Sequence, residues 1–93
     1  MTAQFDTWVC TTRDQKQQLV VQCAPHDLTA HEVRAFAARK LGGAEPQSLQ
    51  VLPADHAPPE VPVAHVRWVG NDYAPGQGVR RLQEKIGKKW RDA

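Results

Sequence analysis

Two cysteines and four histidines carry the most versatile chemistry in this 93-residue chain. Cys23-Ala24-Pro25-His26, followed by His31, gathers three metal-ligating residues in one short stretch. A closed zinc site takes four ligands, usually from paired clusters. No second pair is present, and His56 and His65 stand alone, so no metal is expected. Cys10 and Cys23 lie on two segments that read as a hairpin. A turn centred between Asp14 and Gln15 sets Cys10 opposite Leu19 and Cys23 opposite Asp6. A disulfide needs Cα atoms within about 7 Å, so two small buried thiols are expected instead. Ser48 is the only serine and lacks the setting of a nucleophile elbow. No pair of titratable groups is spaced for general acid–base work. The expectation is a protein that is not an enzyme and needs no cofactor.

Charge is the stronger signal. Residues 1–75 hold six Lys/Arg against eight Asp/Glu, a net of −2, while residues 76–93 hold six against two, a net of +4. The overall +2 thus hides a mildly acidic body and a basic tail. Such asymmetry suits an acidic partner: nucleic acid, lipid headgroups or an acidic protein surface. Arg80, Arg81, Lys85, Lys88, Lys89 and Arg91 supply the cations, and Tyr73 lies just before them. Gly76-Gln77-Gly78 ahead of Arg80 resembles a helix start that docks one phosphate. The full phosphate-loop pattern is absent.

These residues need elements to position them. Residues 5–11 are rich in β-branched and aromatic side chains and read as a strand. The polar break Arg13-Asp14-Gln15-Lys16 leads to a second strand, 18–23, which Pro25 ends. Thr29-Ala30-His31-Glu32 fits a capping box, and Leu28 with Val33 fits a hydrophobic staple. Val33, Phe36, Ala37 and Leu41 recur at helical spacing, and Gly42 stops the helix, which is expected over about 30–41. Residues 48–52 read as a third strand and 63–69 as a fourth. The stretch 53–62 holds four prolines and reads as a stiff exposed loop. Over 78–91, Val79, Leu82, Ile86 and Trp90 share one side of an amphipathic helix whose other side is basic. Gly87 inside it costs about 1 kcal/mol relative to Ala.

The expected fold is α+β: a single domain over 1–93 in the order β-β-α-β-β-α, with a mixed or antiparallel sheet packed by one or two helices. It includes the 53–62 loop and a basic C-terminal helix over 76–93. In spacing, residues 5–52 resemble the first half of ubiquitin-like β-grasp domains, without an identifying motif. The end Trp90-Arg91-Asp92-Ala93 lacks Gly-Gly, so a conjugation role is not expected.

No apolar run reaches the ~20 residues of a membrane span, and residues 1–6 lack the marks of a signal peptide, so a cytoplasmic protein is expected. The reading placed first is a small protein-interaction module, an accessory or inhibitor protein of bacterial or phage kind that binds a protein partner. It would do so through an edge strand, the 53–62 loop or the C-terminal segment, and a homodimer is compatible with it. The alternative is nucleic-acid binding through residues 76–91, and a small enzyme stands third. The core expected is Leu19, Val21, Val33, Phe36, Leu41, Leu49, Val51 and Val66.

Overall fold

A computed structural model of the chain describes residues 5–69 and 81–93. Strand β1 (Asp6–Thr11) turns into β2 (Gln18–Cys23), and helix α1 (Ala30–Lys40) follows. A single 3₁₀ turn at Pro46–Ser48 leads to β3 (Gln50–Ala54), then β4 (Val63–Val69), β5 (Arg81–Ile86) and β6 (Lys89–Asp92). The strands form one six-stranded mixed sheet in the order β3-β1-β2-β4-β5-β6. Among the described strands only β2 and β4 pair in parallel; the other neighbours are antiparallel. No helix among the described residues is long and apolar enough to cross a membrane.

The α+β class holds, but the expected order does not. Residues 81–92 form a β-hairpin, not the end of an amphipathic helix. The helix-period stripe of Leu82, Ile86 and Trp90 is broken by Gly87, whose φ of 64° lies in the left-handed region. A right-handed helix excludes that conformation. Gly87 with Lys88 closes a two-residue loop, and only the first of the two has positive φ. That is the pattern of a type II′ hairpin turn, which matches strand twist. Pairing of β5 with β4 over five positions overrides the good local helix propensity of Leu-Gln-Glu-Lys.

Elsewhere the local signals hold. Thr29 accepts from the Glu32 amide at 3.2 Å, and its own amide donates to Glu32 Oε1 at 2.9 Å, a complete capping box. At the other end Gly42 has φ 77°, and the Gly43 amide donates to the Ala38 carbonyl at 3.0 Å. This six-to-one bond closes a Schellman-type end. The hairpin register sets Cys10 opposite Leu19 and Cys23 opposite Asp6, as the turn position predicts. The four-residue offset separates the thiols by about 13 Å along the strands, and both are free and buried. The third strand differs in its bounds. It runs through Pro53 and Ala54, so the loop begins at 55. A strand proline requires an edge, and β3 is one.

The core lies on the face covered by α1. Leu19, Val21, Val33, Phe36, Leu49 and Val66 are buried in one cluster with Cys10, Cys23 and Ala64, while Leu41 and Val51 pack against it half-buried. The helix packs mainly on β1, β2 and β3. The connections β2–α1–β3 and β3–β4 run in opposite directions across the sheet between parallel strands. The right-handed rule for such crossovers places them on opposite faces. The 55–62 segment therefore passes over the second face. Val20 points to that face and is fully buried; where the segment joins β4, the Pro62 carbonyl accepts from the Val20 amide at 2.8 Å and opens the β2–β4 ladder. Ala57, Pro58 and Val61 of the segment are half-buried. Helix and loop thus clothe mainly the β3-β1-β2 half of the sheet, with Ala64 and Val66 of β4 still in the core, and β4-β5-β6 extends beyond as a wing.

Candidate binding surface

Alternation along the wing decides which side chains act together. Residues opposite each other on paired strands point to the same face. The pairs Val66–Glu84, Trp68–Leu82 and Glu84–Arg91 thus share the α1 face. There Leu82 and Trp68 pack against the core, and Lys40 of the helix reaches Glu84 at 2.6 Å. This bond ties the far end of α1 to β5. Glu84 is only 13% exposed, so its carboxylate needs that partner.

The second face of the wing carries His65 and Arg67 from β4, Arg81, Gln83 and Lys85 from β5, and Trp90 and Asp92 from β6. Here polar groups organise the rings. The Arg67 guanidinium lies 4.1 Å from the centroid of the Trp90 ring. Its Nε and Nη2 both donate to Gln83 Oε1, at 3.1 and 3.0 Å. Gln83 Nε2 in turn donates to Asp92 Oδ1 at 3.4 Å. The relay fixes the guanidinium plane, and the cation–ring contact contributes about 0.5–1 kcal/mol at an exposed position. Arg81 stands 3.5 Å from Asp92. Phe5, just before β1, meets the His65 ring edge-on, with centroids 6.1 Å apart. A hollow of about 290 Å³ lies between these groups, lined by Phe5, Gln22, His65, Arg67, Lys85 and Trp90 among others.

The arrangement is a shallow shelf with three aromatic rings and three cations, Arg67, Arg81 and Lys85, against one carboxylate. It can hold an anion beside a flat apolar group. The shelf brings together only part of the expected basic set. Arg81 and Lys85 point to it, whereas Lys89 and Arg91 point to the opposite face and Lys88 sits in the turn. The single basic face expected of a helix is thus split between two faces of a ribbon. Tyr73 and Arg80 lie outside the described residues, as do Val79 and Gly76-Gln77-Gly78. Phe5, His65, Arg67, Gln83 and Asp92 are not among the expected site residues, and Trp90, read with Leu82 and Ile86 as one apolar stripe, points instead to the shelf, opposite to them. His65 and Arg67 are two apart in β4, which was the available signal that they share a face.

The reactive residues take up other positions. Burial pushes the Cys10 thiol up to about 11, against a smaller opposing pull from Arg34. Burial also raises Cys23, helped by Asp6, Asp27 and Glu32. Among the described residues, no group of three His, Cys, Asp or Glu side chains is placed to hold a metal ion. His26 sits in a left-handed turn at φ 63°, its amide held by Asp6 Oδ2 at 2.8 Å.

No protein-family model matches the chain, and no curated protein and no solved structure shows significant similarity to it.

Proposed function

We propose that this chain is a non-catalytic interaction module that holds an anionic macromolecule on the second face of β4-β5-β6. The carrying observation is the Arg67–Trp90 stack, fixed by Gln83 and Asp92 and flanked by Lys85 and Arg81. Binding surfaces concentrate their energy in aromatic and Arg side chains, and cations outside them steer an acidic partner. The second face of the wing is the one turned away from α1, so a partner can reach it without opening the core. Such a module would act as an accessory or inhibitor of whatever it binds.

The test compares two triple variants with equal loss of charge. Arg67→Gln, Arg81→Gln and Lys85→Gln together remove the shelf cations. Arg13→Gln, Lys16→Gln and Arg39→Gln remove three exposed cations elsewhere. With heparin as a generic polyanion, the shelf variant should lose more than tenfold in affinity, because several charge-assisted contacts go at once. The control should stay within about twofold, the residue of a lowered net charge. Equal losses would show that only net charge matters and would remove the shelf as a site.

A further inference from the structure

We infer that the occupant of this shelf is single-stranded nucleic acid, with bases stacked at two aromatic stations and the phosphate path running between them. The inference rests on the reading of the wing as a binding surface and names its ligand class.

The stations follow from the register. His65, Lys85 and Trp90 lie in one row across β4, β5 and β6. Two strand spacings separate the first from the last, about 10 Å. Phe5 joins His65 at one end, and Arg67 covers Trp90 at the other. Consecutive bases in a helical stack are only ~3.4 Å apart. The stations therefore suit bases splayed from one another, with a phosphate between them at the level of Lys85. An exposed β-sheet face with rings is a common way to receive such unstacked bases, and a guanidinium plane serves as a stacking surface as well as a ring does. A duplex hides its base faces and would reach only the cations. An acidic peptide would likewise use Arg67, Arg81 and Lys85 and leave Phe5 and His65 without a role. Charge complementarity admits all three ligands; the rings select the single strand.

The experiment is fluorescence anisotropy with three labelled probes. They are an oligothymidylate of about twelve nucleotides, within the usual site range, a duplex of the same length, and an oligoglutamate peptide of similar charge. The single strand should bind most tightly, with log K falling against log salt at a slope of about −2, as for three phosphate contacts. Trp90→Ala and Phe5→Ala should each weaken it about five- to a hundredfold, and Phe5→Ala should leave the oligoglutamate unaffected. Phe5 precedes β1 and is 46% exposed, so its variant keeps the fold even where Trp90→Ala loosens the hairpin. Circular dichroism confirms this for each protein. Tighter binding of the duplex or the oligoglutamate overturns the inference, as does single-strand affinity that ignores Phe5→Ala. If heparin still depends on the shelf cations in that case, the binding surface stands and only its ligand is wrong. If heparin ignores them too, both readings fall.

Discussion

Arg67 and Trp90 meet across an intervening strand: the guanidinium from β4 passes over β5 and lies 4.1 Å from the ring centre of a residue on β6. Gln83 on the middle strand supports it from below through two hydrogen bonds to one oxygen. The contact clamps three strands on the face turned away from α1. A double-mutant cycle of Arg67→Gln and Trp90→Leu should give a coupling of about 0.5–1 kcal/mol. Thermal or urea unfolding of the four proteins measures it, and additive effects would show that the stack contributes nothing.

Gly87 distinguishes a hairpin from a helix by the sign of one substitution. Its φ is 64° and no atom lies within 4 Å of an added Cβ, so space is not an issue. Gly87→Ala should destabilise by about 1 kcal/mol or more, because Ala resists that conformation. In a helix the same change would stabilise by about 1 kcal/mol. A urea titration reads the sign directly.

Phe36 is the largest side chain fully enclosed beneath α1, at 1% exposed. Phe36→Ala should cost about 3–5 kcal/mol through lost burial and the cavity it leaves. A domain of this size has only about 5–15 kcal/mol in total. The variant should therefore melt far below the parent, and a melting temperature within two or three degrees would contradict this packing.

The capping box gives a smaller effect at a defined place. Thr29→Ala leaves the Glu32 amide without its 3.2 Å acceptor and should cost about 1 kcal/mol. Thr29→Asp keeps an acceptor and should recover most of it. Equal stability of the two variants would remove the hydroxyl bond from the account.

Cys10 makes stability depend on alkaline pH. Its pKa rises from 9.0 to about 11 on burial, so the folded state keeps the proton longer than the unfolded chain does. Between those values the unfolded state binds fewer protons, and stability falls as pH rises. The contribution is intact below pH ~9 and its loss approaches about 2 kcal/mol by pH ~11. Cys10→Ala should flatten this part of the profile, and an unchanged slope would contradict it.

How much of this was legible beforehand depended on how local its cause is. The helix was readable because Thr29, Glu32 and Gly42 act on their own neighbours. The first hairpin was readable down to register because Asp14 and Gln15 fix its turn and the two-residue period does the rest. The C-terminal hairpin was not. Leu82, Ile86 and Trp90 satisfy a helical period as well as Leu82 and Ile86 satisfy a strand's, and Gln83, Glu84 and Lys85 favour helices. The decision came from β4, a non-local partner whose pairing no window of 81–92 contains. Gly87-Lys88 was the one local hint of a tight turn. The binding shelf shared that fate. Arg81 and Lys85 were visible as cations, but their union with Arg67, His65 and Phe5 depends on the same strand pairing.

The most direct test is residue-resolved. With ¹⁵N-labelled protein, oligothymidylate is titrated and amide and indole resonances are followed. The account predicts the largest shifts at His65, Arg67, Gln83, Lys85 and the Trp90 indole, with α1 and residues 55–62 nearly still. Shifts concentrated on α1 or on the 55–62 segment, or no shifts at low salt, would contradict it.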